Sequence, residues 1–196
     1  MSRPGAARAA GRPERGAGGG DSDLAAVRAA QRTRGEFAVL YRRYLDRVYA
    51  YAFYQLRDHH DAEDATERTF MQALRGIRSF DDRGSTFRAW LFTIAHHTIA
   101  NAHRRRARSR TVAMPDGFDR PAPDADPAAM VGRAEELRRV MAALDELSDE
   151  RRQVVLLRFV EGLSSAETAE VLGRSPGAVR VLQHRALRDL SRRLGG

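Results

Sequence analysis

The run His59-His60-Asp61, with Glu63 and Asp64 close behind and His103 further on, holds the residue types that bind divalent metals. Neutral imidazole and carboxylate oxygens suit such ions, and a metal-dependent phosphohydrolase is the chemistry that a His-Asp pair of this kind would serve. Placement argues against it. His59 and His60 fall in a polar turn between two helical patterns, where adjacent side chains seldom converge on one ion, and Asp61 stands where a helix cap is needed. Cysteine is absent, which excludes zinc-thiolate sites, thiol nucleophiles and disulfides. No metal and no cofactor are expected. What remains is positive charge: 34 basic residues stand against 26 acidic ones, every base is an Arg, and the formal net charge is +8. Arg forks match phosphates and guanine edges, so the expected partner is a polyanion, with nucleic acid ahead of a membrane surface.

Two stretches concentrate that charge. Arg83 to Arg110 holds seven Arg and no acid, interleaved with Phe87, Trp90 and Phe92 and with Phe80 just before it. Cations among aromatics suit single-stranded nucleic acid, because bases stack on rings while Arg tracks phosphates. A lone Trp in an amphipathic helix serves equally well as core, and that reading of Trp90 stands beside the first. Gly173 to Gly196 holds six Arg and one acid, Asp189, far from the even mixture of a surface that only has to stay soluble. This second stretch follows a punctuated pattern. Ser164 with Glu167 three positions on forms a capping box, and Gly173 supplies a left-handed stop. Ser175 then caps a new helix with Pro176 at its first position. Val179, Leu182, Ala186, Leu190 and Leu194 share one face of that helix, and Arg180, Gln183, His184, Arg185 and Arg188 lie on the others. Helix, tight turn and basic second helix make a helix-turn-helix, whose second helix enters a major groove.

The elements that must carry these residues are helical throughout. Ser22 or Asp23 is expected to cap a helix ending near Gly35. A longer one follows, with Phe37, Leu40, Tyr41, Tyr44, Val48, Ala52 and Leu56 on its apolar stripe. Asp61 is expected to open a third, with Ala62, Ala65, Phe70, Leu74 and Ile77 facing the core. Ser79 to Gly84 is a polar turn. Ser85 or Thr86 caps a fourth helix bearing Phe87, Leu91, Ile94, Thr98 and Ala102. Residues 111 to 132 hold four of the seven prolines and read as a linker. Beyond it, Leu137, Val140, Met141, Leu144 and Leu147 mark another helix. Ser148 caps the next, which buries Val154, Val155 and either Leu157 or Phe159. Residues 1 to 20 read as a disordered tail without the apolar stretch of a secretory signal, and no apolar run is long enough to insert in a membrane. The expected fold class is all-α. Two small helical domains, 21–110 and 133–194, are joined by the Pro-rich linker.

Four blocks in order carry a family resemblance: Asp61-Ala-Glu-Asp-Ala-Thr-Glu-Arg-Thr-Phe; Phe87-Arg-Ala-Trp-Leu-Phe-Thr-Ile-Ala with its Arg cluster; Leu144 to Arg158; and the helix-turn-helix ending in Arg185-Ala-Leu. Together the chain resembles the extracytoplasmic-function (ECF) class of bacterial RNA polymerase sigma factors, in the sigma-70 family, from about Leu24 to Leu194. The resemblance implies that the first domain is sigma region 2 and the second sigma region 4, with the linker in place of region 3. It implies docking of Asp64, Glu67 and Arg68 on the clamp helices of the polymerase largest subunit, and contact of Leu156, Phe159 and Val160 with the flap tip. Many relatives carry Gln then Glu where this chain has Glu67 then Arg68. Phe80, Trp90, His96, His97 and Asn101 fall on the segment that reads and melts the minus-10 element. His97 stands where the family often has Asn. Arg104 and Arg105 can hold flanking phosphates. Ser175, Arg180, Val181, His184 and Arg185 match the part that faces the minus-35 element.

The resemblance therefore implies a cytoplasmic, non-enzymatic specificity subunit that binds core RNA polymerase and promoter DNA. Members of this class are often held inactive by an anti-sigma factor, which joins the expected partners, although no residue singles one out. The alternative is a stand-alone helix-turn-helix regulator. It would share the DNA-binding end but would need neither the acidic docking helix nor the aromatic-basic segment.

Overall fold

The computed structural model describes residues 19–109, 135 and 138–195, and every regular element among them is a helix. The first bundle comprises α1 (Gly19–Arg32), α2 (Phe37–Leu56), α3 (His59–Gly76) and α4 (Phe87–Ser109). Short 3-10 turns at Arg34–Glu36 and Ile77–Ser79 link α1 to α2 and end α3. The second comprises α5 (138–145), α6 (Asp149–Val155), α7 (Ser165–Leu172) and α8 (Pro176–Leu194). One π-helical turn, Leu156–Val160, extends α6. The expected linker, Arg110 and Leu137 lie outside the described residues, as does the expected tail except for its last two residues, which already belong to α1. Among the described residues no helix is long and apolar enough to cross a membrane.

Helix α2 is the spine of the first bundle. Phe37, Leu40, Tyr44, Val48, Tyr51, Ala52 and Leu56 are buried along it, meeting Ala62, Ala65, Phe70 and Ala73 of α3 and Leu91, Phe92, Ala95 and Ile99 of α4. Tyr51 sets its ring edge-on to Phe92 at 5.4 Å, a favoured aromatic geometry.

The starts of α1 and α3 differ from the sequence expectation. Helix α1 begins at Gly19, so Ser22 and Asp23 lie inside it. The Asp23 carboxylate instead accepts from Arg43 and the Tyr44 hydroxyl, both at 2.5 Å. Asp58, not Asp61, caps α3: its side chain accepts from the Asp61 amide at 2.9 Å, while the preceding Arg57 takes the left-handed conformation that ends α2. Thr86 rather than Ser85 caps α4, accepting from the Ala89 amide at 3.2 Å. Ser148 occupies the cap position of α6 but makes no side-chain cap bond. Leu157 is the buried member of its expected pair and Phe159 is exposed.

The second bundle has small cores of its own, Leu144, Leu147, Val155 and Ala186 in one and Val154, Ala169 and Val179 in another. Leu156, Leu157, Leu163 and Val171 belong instead to the cluster of the first bundle. Around this seam the Arg47 guanidinium donates to the Glu161 carboxylate at 2.9 Å and to the Glu161 carbonyl at 2.8 Å, Arg88 donates to the Gly162 carbonyl, and the Thr86 hydroxyl donates to Glu167 at 2.6 Å. Glu161 is only 2% exposed, and its burial pushes the carboxyl above the ordinary carboxylate range despite Arg47.

Candidate nucleic-acid interface

The helix-turn-helix is set by short-range hydrogen bonds. Ser164 accepts from the Glu167 amide at 3.1 Å, and the Glu167 carboxylate accepts from the Ser164 amide at 2.7 Å, the reciprocal pair of a capping box. Gly173 closes α7 at φ 60°, where a side chain is strained. Ser175 accepts from the Ala178 amide at 3.2 Å and Pro176 opens α8. With Val179 and Ala186 buried and Leu182 and Leu190 half-buried, the same helix leaves Ser175, Arg180, Val181, His184 and Arg185 exposed on its other faces. Gln183 is held back by Arg158, which donates to its side-chain oxygen at 3.0 Å. Leu194, expected on the apolar face, is exposed. The single acid of this end, Asp189, is occupied by Arg151 and Arg192 at 2.6 and 2.5 Å.

The aromatic-basic segment is less open than its sequence suggests. Phe80 is buried, edge-on to Phe87 at 5.9 Å and tilted against Trp90 at 5.0 Å, so it shapes the turn rather than offering a free ring face. Trp90 is half-buried and packs over Gly76, where an added Cβ would come within 3.1 Å of the indole. Gln31 ties the turn to α1, its amide donating to the Ile77 carbonyl at 3.1 Å and the Phe80 carbonyl at 2.8 Å. Beside that tie lies a polar cavity of about 320 Å³ lined by Arg28, Gln31, Phe80, Asp81 and Arg83 among others. Further along α4, His97, Asn101, Arg104 and Arg105 are exposed, and Asn101 accepts from Arg104 at 2.6 Å. His96 is half-buried beside the Tyr51 hydroxyl at 3.4 Å. Burial first, and then His97, hold its pKa below the ordinary imidazole value, so its ring is neutral near pH 7.

A third surface lies between α2 and α3. A groove of about 560 Å³ is floored by Phe37, Tyr49, Phe70 and Leu74, with Asp46, Glu63 and Glu67 on its rim. Tyr41 and Met71, 40% and 43% exposed, also line it. Glu67 is thus brought to the groove, whereas Asp64 and Arg68 do not line it and pair with each other at 3.4 Å. Sequence reasoning misses Asp46 and Met71 here, and it places Tyr41 in the core. Of the expected flap-tip residues, Leu156 is buried in the seam between the bundles, while Phe159 and Val160 are 52% and 53% exposed. The imagined metal ligands do not assemble among the described residues. His59 hydrogen-bonds Tyr49 at 2.6 Å and stacks on Phe53.

Comparison with known proteins matches residues 40–109 to sigma-70 region 2 and residues 137–190 to sigma-70 region 4. The ECF RNA polymerase sigma factor BldN of Streptomyces coelicolor is 38% identical over 81% of this chain, which spans 60% of BldN's length. SigX of Bacillus subtilis, also an ECF RNA polymerase sigma factor, is 30% identical over 81% of this chain and 83% of its own. The sigma factor RpoE of Bartonella quintana, solved in complex with the anti-sigma factor NepR, superposes with a TM-score of 0.67 at 27% identity, covering 82% of this chain and 97% of that one. With both regions matched in order on two packed helical bundles, the chain belongs to the ECF class of the sigma-70 family of RNA polymerase sigma factors.

Proposed function

We propose that the chain is a promoter-specificity subunit: it binds core RNA polymerase, bridges a minus-35 and a minus-10 element, and helps open the duplex. The observation that carries this reading is the presence on one chain of a basic recognition helix and an acidic-rimmed apolar groove. A stand-alone regulator needs only the first. In this reading residues 21–110 act as region 2, residues 133–194 as region 4 and residues 111–132 as the linker between them. The groove takes a helical hairpin of the polymerase, with Tyr41 and Met71 as apolar contacts and Glu63 and Glu67 facing its cations; Asp64 and Arg68 flank it. Phe159 and Val160 meet the flap tip.

On DNA, Arg180 and Arg185 grip base edges or phosphates in the minus-35 major groove, with Val181 and His184 beside them and Ser175 at the helix start. At minus-10, a base extruded from the stack enters the cavity beside Phe80, where Gln31 and Asp81 face its polar edge. Trp90 supports the turn from behind. His96, His97 and Asn101 lie along the strand, and Arg104 and Arg105 hold its phosphates. Phosphodiester chemistry belongs to the polymerase, so the chain itself is not an enzyme, and it works in the cytoplasm where the polymerase is. An anti-sigma protein, as NepR is for RpoE, is a further partner.

The test is to add the purified chain to bacterial core polymerase with fragmented genomic DNA and map the 5′ ends of the transcripts. Starts downstream of one shared pair of motifs support the reading. Background transcription with no core binding sinks it and leaves the regulator.

A further inference from the structure

A second concavity, of about 280 Å³ and lined by Ala30, Arg34, Leu74, Arg75, Ile77 and Arg78, borders the same Ile77–Phe80 segment as the polar cavity. Three exposed guanidiniums thus surround one hollow. None of them is in an ion pair or hydrogen bond among the described residues. Their neighbours behave differently: Arg28 reaches Asp82 at 3.7 Å and Arg83 pairs with Asp81 at 3.0 Å. The ends of α1 and α3 and of the 3-10 turns converge here, and their carbonyls lessen the mutual repulsion of the three cations. That explains why the cluster is tolerated. It leaves three guanidiniums without a side-chain partner lining one hollow, groups whose planar forks suit phosphate oxygens.

We propose that Arg34, Arg75 and Arg78 form a seat for backbone phosphates of single-stranded promoter DNA, next to the cavity that receives the extruded base. The inference rests on the sigma-factor reading above. Its structural basis is continuity. Gln31 bridges the carbonyls of Ile77 and Phe80, and this one four-residue segment lines both the base cavity and the arginine hollow. A strand that places a base in the cavity at this segment carries its neighbouring phosphates close to the hollow beside it. The seat reads no sequence: it fixes the strand's path so that the base is presented, and it adds a salt-sensitive part to the affinity.

The experiment uses the full chain assembled with core polymerase and a forked duplex bearing a selected promoter, its minus-10 strand single. Binding is titrated between about 50 and 200 mM salt for wild type, for R34A/R75A/R78A and for R34K/R75K/R78K, against matched and scrambled minus-10 sequences. The alanine variant is expected to bind both sequences about tenfold more weakly, with a log-log salt slope shallower by about 0.7 for each phosphate it no longer neutralises. The lysine variant, which keeps the charge, is expected to retain most of the slope. Superposable slopes for wild type and the alanine variant overturn the seat. If the wild-type assembly fails to separate matched from scrambled sequence, the promoter reading fails. If it separates them while the slopes coincide, only the seat fails.

Discussion

Two single residues carry more than their types suggest. The buried Asp23 carboxylate holds the Tyr44 hydroxyl and Arg43, joining α1 to α2, and burial together with this carboxylate drives the Tyr44 phenol well above its ordinary value. Asp23→Ala leaves that hydroxyl without its acceptor and is expected to lower stability by about 2 kcal/mol, read from urea unfolding. A loss below about 0.5 kcal/mol would show that the hydroxyl finds another partner. Gly76 is small because the chain's one Trp lies on it. In Gly76→Ala the indole must give by a few tenths of an ångström while the helix gains about 0.5 to 1 kcal/mol of propensity, so stability barely moves and Trp90 emission shifts. An unchanged spectrum would mean that the ring has room to spare. Neither role was legible in the sequence. Asp23 reads as a cap by its type, but its partners stand some twenty residues on; nothing beside Gly76 in the sequence marks the indole of the next helix that lies against it.

At the scale of elements, what depends on neighbours three or four residues apart was legible: the capping box at Ser164, the stop at Gly173, the start at Ser175 and Pro176, and the inward placement of Val179 and Ala186 on α8, though not of Leu194. Ser164→Ala is expected to cost about 1 kcal/mol. Arg180→Ala and Arg185→Ala, on the open faces of the same hairpin, are expected to weaken minus-35 recognition about tenfold each in footprinting while leaving core binding intact. Loss of core binding instead would reassign α8. The groove was only half legible. Periodicity put Tyr41 on the buried stripe of α2, correctly for a helix packed along its whole apolar face, but no described helix covers the flank where Tyr41 and Met71 sit. The double change Glu63→Ala and Glu67→Ala is expected to weaken core association in a pull-down. Unchanged affinity would move the docking site elsewhere.

At the scale of the molecule, all-helical character and two bundles followed from pattern alone, but their packing together did not, because nothing local marks Glu161 as a residue to be enclosed. Arg47→Ala leaves that carboxylate enclosed without its cation and is expected to destabilise the chain by about 3 kcal/mol. The pH dependence follows in sign. The folded carboxyl titrates above its ordinary 4.5, so the fold holds a proton that the unfolded chain has released in that window. Its contribution to stability is full below 4.5 and is lost as pH rises through the folded value. Wild type should therefore gain on Glu161→Gln as pH falls from neutral toward 4.5 in paired urea titrations. A constant difference would show that the carboxyl titrates normally.

The leucines at the seam have a calorimetric consequence. Leu156, Leu157 and Leu163 are part of the first bundle's own cluster, so neither bundle can melt without stripping apolar surface from the other. A scan should show one endotherm, with a van't Hoff enthalpy equal to the measured one, where two independent domains would give two. Any partner that pulls the bundles apart exposes that surface to water, adding a positive heat-capacity increment to its binding, so its affinity bends with temperature.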